Sequence, residues 1–389
     1  MAIYNGTSGN DVYTGTSSAD TINGFGGNDQ LHGGGGDDII YGGGGFPRPS
    51  FDRIWGDAGT DRIYLGQNAS GNIAYGGDDT DYIYGGASSD DIYGDSGNDQ
   101  LYTGGLQNGP GDRLYGGVGD DTFYMDAFAS GDTTLDGGIG NDSFNLNYGA
   151  RSFFAGGSGN DTFRATALTW SENHFDGGAD FDTILASANG SRLGISSITG
   201  IEEIASTGFA NFTIELQLNT SGGPSAPTID LSKTLLSGVA SIEGTSQGDT
   251  IYFAGAFAGD PLSQTSNDTV NADYGNDAIY TGFGDDVVNG EDGNDALSGG
   301  SGNDVLTGGA GADTFIFSID SDQDTITDFV AGTDKVLVED LIGFDDFADV
   351  QAVMTMSGTN TIVDFGNGDV LQFVNVDSSS LTAVDFIFA

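Results

Sequence analysis

The sequence predicts an all-β fold: a parallel β-roll in two repeat blocks, with an irregular β segment between them and a β cap at the C-terminus. Three observations carry that expectation. The stretch GGDDTDYIYGGASSDDIYGDSGNDQLY at 76–102 is one nine-residue phrase in three versions. Each version puts Asp at its sixth place (Asp81, Asp90, Asp99), an aliphatic residue at its eighth (Ile83, Ile92, Leu101) and Tyr at its ninth (Tyr84, Tyr93, Tyr102). Glycine makes up 68 of the 389 residues, and it falls at fixed places in the phrase, so the composition signals a repeat and not a disordered linker.

Aligned on G-G-x-G-x-D-x-U-x, where U is a large apolar residue, good copies begin at Gly24, Gly33, Gly56, Gly76, Gly85, Gly94, Gly116, Gly137, Gly156 and Gly177, with weaker ones at Gly6 and Gly15. These define a first roll over 1–185. A second roll over 244–316 begins near Gly244 and continues through Thr281, Gly290, Gly299 and Gly308. The x-U-x triplet alternates and reads as a very short strand with U pointing inward. The glycine-rich six are a turn, because Gly accepts the positive φ that such turns need. Two copies make a coil of turn, strand, turn, strand, so Ile83 and Leu101 are expected in one sheet and Ile92 in the other. GQNASGNIA (66–74) reads as a copy with Gly71 where Asp belongs. FPRPS (46–50) and GGLQNGPG (104–111) read as insertions into turns. Phe at the U place (Phe123, Phe144, Phe163) predicts a wider roll there.

Charge narrows the partners. With 58 Asp plus Glu against 9 Lys plus Arg, the net charge is −49. Nucleic acid is excluded, since phosphate binding needs clustered Lys or Arg, and anionic membranes are disfavoured. No apolar run approaches a membrane span, so no membrane insertion is expected. So much like charge opposes compaction, and cations are the obvious counter-charge. The chain has no Cys, which excludes disulfides, thiolate metal sites and a Cys nucleophile.

A three-residue strand is not stable alone, so the turns must be fixed by something else. Calcium suits them: it takes 6–8 oxygens, carboxylate and carbonyl alike, at about 2.3–2.6 Å, whereas magnesium demands a stricter octahedron. One turn supplies part of that shell and the turn one coil on completes it. Asp81 and Asp99 should then face one row of ions and Asp90 the opposite row. The expected ligands are Asp29, Asp38, Asp61, Asp81, Asp90, Asp99, Asp121, Asp142, Asp161 and Asp182 in the first roll, and Asp277, Asp286, Asp295, Asp304 and Asp313 in the second.

These repeats resemble the RTX nonapeptide of calcium-binding parallel β-rolls over most of 1–185 and 244–316. Residues 186–243 break the pattern with ISSITGIEEIA and TIELQLNT, an irregular β segment that continues the stack or separates the rolls. Residues 317–389, from FSIDSDQDTITDF to the terminal DFIFA, look like the cap of RTX proteins of the serralysin group. That resemblance implies export by type I secretion machinery, with Asp385-Phe386-Ile387-Phe388 matching the C-terminal signal. A buried terminal strand is the competing reading of that tail. MAIYNGTSGN has neither the basic start nor the apolar core of a signal peptide. The resemblance therefore implies an extracellular or surface location in a Gram-negative bacterium, reached without an N-terminal signal peptide. Charge repulsion would keep the chain unfolded inside, and calcium would fold it outside.

No enzyme is expected. There is no H-E-x-x-H, and GTSQG (244–248) matches G-x-S-x-G only as a turn. His32 reads as an outward, solvated ninth-place residue, and His174, in SENHFDGG, as part of an excursion between turns. The ninth places Tyr41, Trp55, Tyr64, Tyr84, Tyr93, Tyr102, Tyr115 and Tyr124 should form an aromatic ladder on both faces of the first roll. Such ladders stabilise sheets by cross-strand stacking, and exposed aromatic patches also mark interaction faces. Three functions follow: a secreted, calcium-folded structural subunit that assembles with itself into a surface layer, filament or matrix; an adhesin-like module that binds surface polysaccharide through the aromatic face; and an enzyme with an unfamiliar site in 186–243. Ice binding is disfavoured, since the third places hold no Thr row.

Overall fold

The computed structural model describes residues 1–44, 51–66, 71–105, 111–125, 132–146, 151–165, 169–186, 192–206, 212–216, 228–231, 234–237, 239–245, 250–253, 267–339 and 341–389. The chain forms a parallel β-solenoid in two compact units, Met1–Glu203 and Ile204–Ala389.

In the first unit every coil gives one strand to each of two parallel sheets. Tyr82–Tyr84 and Gln100–Tyr102 are three-residue strands that place Ile83 opposite Leu101 in one sheet. Ile92 lies in the other sheet, between Ala74 and Leu114, as the repeat predicts. The alternation of a strand sends each eighth-place residue inward, and Ile22, Leu31, Ile40, Ile54, Ile63, Ile83, Ile92 and Leu101 all have 0% exposure. Strands of the second sheet run on into the following turn, as in the six-residue Arg113–Val118.

Coil length varies without disturbing register. Sixth-place residues are 18 positions apart from Asp81 to Asp99, but 23 from Asp38 to Asp61 and 22 from Asp99 to Asp121. The insertion FPRPS lies outside the described residues, as does most of GGLQNGPG. The roll widens where Phe occupies the core. Phe123, Phe144 and Phe163 stack with centroids 4.6 Å apart at each step. The strands of Phe144 and Phe163 gain a second inward residue, buried Leu146 and Ala165, and the next strand, with Ile184 in the core, does the same at Ala186.

The copy at 66–74 is corrected by one residue. Ala74, not Ile73, fills the core, and Asn72, not Gly71, stands in the Asp column, with 0% exposure each. Asp61 and Asp81 are 20 positions apart, so counting nine forward from Gly66 slips the register; counting back from Gly76 restores it.

The second unit repeats the arrangement with even spacing. Ala278–Tyr280, Ala296–Ser298 and Thr314–Phe317 stack in one parallel sheet, Val287–Asn289 and Val305–Thr307 in another. Earlier strands of this unit, Phe212–Leu216 with Val239–Thr245 and Thr228–Leu231 with Thr250–Phe253, also pair in parallel. The chain then turns antiparallel through Met354–Ser357, Asn360–Gly366 and Asp369–Phe373. A short helix, Phe347–Val353, precedes this hairpin and is capped by the Asp346 carboxylate. The last strand, Phe386–Phe388, lies parallel to Lys335–Val338.

Candidate metal centres along the turns

The sixth-place residues form two columns in the first unit. In one, the Asp38 N–H donates to Asp61 Oδ1, Asp61 to Asp81, Asp81 to Asp99, Asp99 to Asp121, Asp121 to Asp142, Asp142 to Asp161 and Asp161 to Asp182, at 2.7–2.8 Å. In the other, the same bond links Asp11, Asp29, Asp52, Asn72, Asp90 and Asp112. Asp81 and Asp99 thus share a column and Asp90 lies in the opposite one, as expected. Beyond Asp112 the second column loses its carboxylates, and the buried polar residues there are Thr133, Ser152 and Asn173.

This ladder uses one carboxylate oxygen per turn, and what the other oxygen meets divides the turns into two kinds. In the open kind, Oδ2 is buried with no hydrogen-bond partner, as at Asp29, Asp38, Asp52, Asp61, Asp81, Asp99, Asp121, Asp142, Asp161 and Asp182, and in the second unit at Asp286, Asp295 and Asp304. In the closed kind, the backbone N–H of the second place donates to it. Thr16 donates to Asp20 Oδ2 at 2.7 Å, with its hydroxyl adding a bond of 2.8 Å, and Gly86 donates to Asp90 Oδ2 at 2.7 Å. Thr7 closes Asp11 in the same way, Gly104 closes Asp112 and Val330 closes Asp334.

The backbone angle at the second place decides between them. Open turns carry a positive φ there: Gly34 (+101°), Gly77 (+115°), Gly117 (+109°), and also Phe25 (+68°), Asp57 (+73°) and Asp95 (+71°). A positive φ turns the second-place N–H away from the carboxylate. Thr7, Thr16 and Gly86 are outside that region, and their N–H groups point in.

An open turn brings acceptors together with no donor between them. A Cβ added at first-place Gly24 would lie 2.5 Å from Asp29 Oδ2 and 2.6 Å from the Gly42 carbonyl one coil on. The same pair of oxygens converges at Gly76, Gly94, Gly116, Gly137 and Gly156, and at Gly290 in the second unit. Burial pushes the carboxyls up in consequence: Asp38 and Asp182 to about 6, Asp61, Asp99, Asp121, Asp142 and Asp161 to about 7, and Asp81 to about 8. Among the closed turns, Asp20 is held below the ordinary carboxylate range by the N–H groups of Ala2 and Thr16, whereas burial raises Asp90 to about 6 and Asp112 to about 7 despite their second N–H bond. Buried carboxylate facing carbonyl needs a proton or a cation. A hard cation that takes carboxylate and carbonyl oxygens together fits the donor set, and calcium is such an ion.

The predicted ligands therefore separate. Asp90 has Oδ1 bonded by the Asn72 N–H and Oδ2 by the Gly86 N–H, whereas Asp99, nine residues on, keeps an orphan Oδ2. Asp277 and Asp313 are buried in the columns of the second unit, bonded to Asp295 and Asp334. Sequence reading missed Asp52 and Asp112, which follow insertions; counting back from Gly56 and Gly116 finds both.

The aromatic ninth places form two continuous stacks. Tyr41, Tyr64, Tyr84, Tyr102 and Tyr124 have centroids 5.0, 4.8, 4.5 and 4.5 Å apart on one sheet. On the other, His32, Trp55, Tyr75, Tyr93 and Tyr115 are 4.2, 5.7, 5.0 and 4.9 Å apart. Tyr75 was missed through the one-residue slip. His32 is corrected from a solvated residue to the first ring of a stack, with Nδ1 3.3 Å from Asp57. His174 is corrected too: it sits on the strand Thr169–Ala179, because Phe175 takes the core place next to it.

The RTX calcium-binding nonapeptide repeat family (4 copies) matches residues 5–40, 26–46, 50–70, 75–105, 111–127, 264–297 and 289–324. No curated protein matches the chain. Among solved structures, the AlgE6R3 subunit of the Azotobacter vinelandii mannuronan C5-epimerase is similar at 29% identity, over 33% of this chain and 82% of that one, with a TM-score of 0.28. The extracellular lipase LipA from Serratia marcescens is similar at 16% identity, over 78% of this chain and 45% of that one, with a TM-score of 0.24. Orphan carboxylates in register and the family match converge on one conclusion: both units of the chain contain RTX calcium-binding nonapeptide repeats.

Proposed function

We propose that the protein is a secreted structural subunit which folds on extracellular calcium and assembles with itself into a surface layer, filament or matrix. The observation that carries this reading is the pair of aromatic stacks. They give both outer faces of the first unit a regular row of ring edges, including nine tyrosines and a tryptophan if Tyr82 beside Arg62 is counted with the ninth-place rings. Tyr and Trp edges with polar tips suit contact between copies. Calcium would be held by the open-turn aspartates, and would supply neutralising charge and coordination that ties each coil to the next. Closed Asp90 is then structural and takes no ion.

The polysaccharide reading of the same stacks is weaker on geometry. Interplanar angles of 5–14° along the tyrosine stack mean that each ring covers its neighbour's face, whereas a sugar stacks on an open face. The described residues of 186–243 form strands and give no catalytic grouping to argue from.

Export fits the C-terminus through its state of folding. Asp385 accepts from Gly332 N–H at 2.6 Å and from Thr382 N–H at 2.7 Å, and Phe386 is buried. The proposed signal is therefore engaged in the folded chain and open to a secretion receptor only before folding. Light scattering and electron microscopy of chelated protein titrated with calcium, alongside circular dichroism, test the whole reading. Ordered sheets or filaments that follow the gain of β-structure are expected. A calcium-folded protein that stays monomeric at high concentration overturns self-assembly, and equal folding in chelator overturns the calcium role.

A further inference from the structure

Away from the turns, the outer face of the second sheet changes character after Tyr115. The ninth-place column that carries the His32–Tyr115 stack continues in register as Asp136, Ala155 and Asp176. Beside it, the seventh-place Phe153 and His174 rings stack at 4.6 Å, and His174 Nδ1 lies 2.7 Å from Ser197 Oγ. Ala155, a small residue where five coils below carry rings, leaves a trough of about 390 Å³ between the two carboxylates. That volume is in the range of small-ligand sites. Phe153 borders it at 38% exposure, a large apolar side chain on an otherwise polar stretch of sheet.

The lining selects a ligand by its hydrogen-bonding character. Asp136 and Asp176 stand two strands apart, roughly 9–10 Å at the backbone, and as carboxylates they only accept. Thr199 donates its hydroxyl to Asp176 Oδ1 at 3.0 Å and fixes that carboxylate. Among the described residues neither Asp136 nor Asp176 has an ion pair. A negatively charged ligand is repelled from both ends, so the ligand must present donors to both. The hydroxyls of Thr134, on the Asp136 strand, and of Ser197, on the strand beyond Asp176 and already paired with His174, also border the trough. Hydroxyls both donate and accept, which a bare ammonium, a donor only, cannot match. A neutral pyranose has donors on opposite edges, acceptors on every hydroxyl and an apolar ring body that can rest against the exposed edge of Phe153, whose ring stacks on His174.

We propose that this trough is a binding site for a neutral saccharide of one or two pyranose units. It is independent of the assembly reading and does not use the faces of the stacked tyrosines. The test is calorimetric titration of the full, calcium-loaded chain with maltose, cellobiose, mannobiose and lactose. Digalacturonate serves as the anionic probe and putrescine as the cationic one. At least one neutral disaccharide should bind and digalacturonate should not. Ala155→Trp, which fills the trough with a further ring of the kind the column already carries, should weaken binding at least tenfold while leaving the calcium-dependent circular dichroism unchanged. Asp176→Asn, on the exposed face, should weaken it as well and guards against a folding defect in the tryptophan variant. The proposal fails if no neutral disaccharide binds, if putrescine binds and the sugars do not, or if both variants bind as the parent does.

Discussion

The two edges of the first unit are built from the same nonapeptide and end up different. Along one, turns from Asp38 to Asp182 are all open, each with a buried oxygen that lacks a donor. Along the other, Asp90 and Asp112 are closed by Gly86 and Gly104, and Thr133, Ser152 and Asn173 follow. From Asp38 to Asp182 the first edge needs a proton or a cation at every step, whereas on the second only the early turns at Asp29 and Asp52 keep an orphan oxygen and the later ones have a backbone donor or no carboxylate. A buried polar atom without a partner costs about 1–3 kcal/mol, and more when charged, so a row of such atoms is enough to hold the metal-free chain unfolded against the small net stability of a domain.

The largest effect that sharpens this contrast is the response to acid. The open carboxyls have folded-state values of about 6 to 8, above the roughly 3.9 of an unfolded aspartate. The folded state therefore binds more protons, and protonation stabilises it. That contribution is complete below about pH 4 and declines as pH rises, until it is gone once the folded-state values of about 6 to 8 are passed. Metal-free protein should show β-structure by circular dichroism near pH 5 and lose it between about pH 6 and 8, and calcium should abolish that transition. A metal-free chain that is equally unfolded at pH 5 and pH 8 would remove the orphan carboxylates as the reason for calcium dependence.

Next comes a matched pair of substitutions. Asp99→Asn keeps an Oδ1 for the Asp81 N–H but removes the orphan Oδ2. Asp90→Asn places an amide against the Gly86 N–H, donor against donor. In metal-free protein near pH 5 the first should be close to neutral in urea unfolding, since burial raises Asp99 to about 7, and the second, raised only to about 6 and accepting two N–H bonds, should cost more, up to about 1–3 kcal/mol. In calcium at neutral pH both should destabilise, and only Asp99→Asn should lower the number of ions bound. Equal costs in acid would show that the two kinds of turn do not differ in the way the hydrogen bonds indicate.

How far these differences could be read in advance depends on the residue. The core was legible because an eighth-place Ile or Leu has one inward direction in a strand, and Ile83, Ile92 and Leu101 are where the repeat puts them. Asn72 and Tyr75 were not, since a coil with two extra residues hides its register from forward counting. The state of a turn is legible where the second place is β-branched: Thr7 and Thr16 resist positive φ and close their turns. It is illegible at glycine, which accepts either sign, so Gly86 closes a turn while Gly77 opens one. Asp57 and Asp95 also take positive φ, which Asp tolerates better than most side chains, so an Asp at the second place does not by itself close the turn. His174 shows the same limit for the trough. Its strand is visible in the sequence only by counting back from Gly177, and its stacking on Phe153 depends on cross-strand register that no single repeat encodes.

The smallest of these effects isolates the closed turn itself. Thr16 gives Asp20 Oδ2 two bonds, one from its N–H at 2.7 Å and one from its hydroxyl at 2.8 Å. Thr16→Val retains the β-branched backbone preference and the N–H while deleting the hydroxyl. It should cost about 0.5–1.5 kcal/mol, the net worth of one hydrogen bond, by the same amount with calcium at neutral pH and without it at pH 5. A cost that appears only in calcium would mean that this turn also holds an ion, with the Thr16 hydroxyl supporting it. The division between open and closed turns would then follow something other than the second-place N–H.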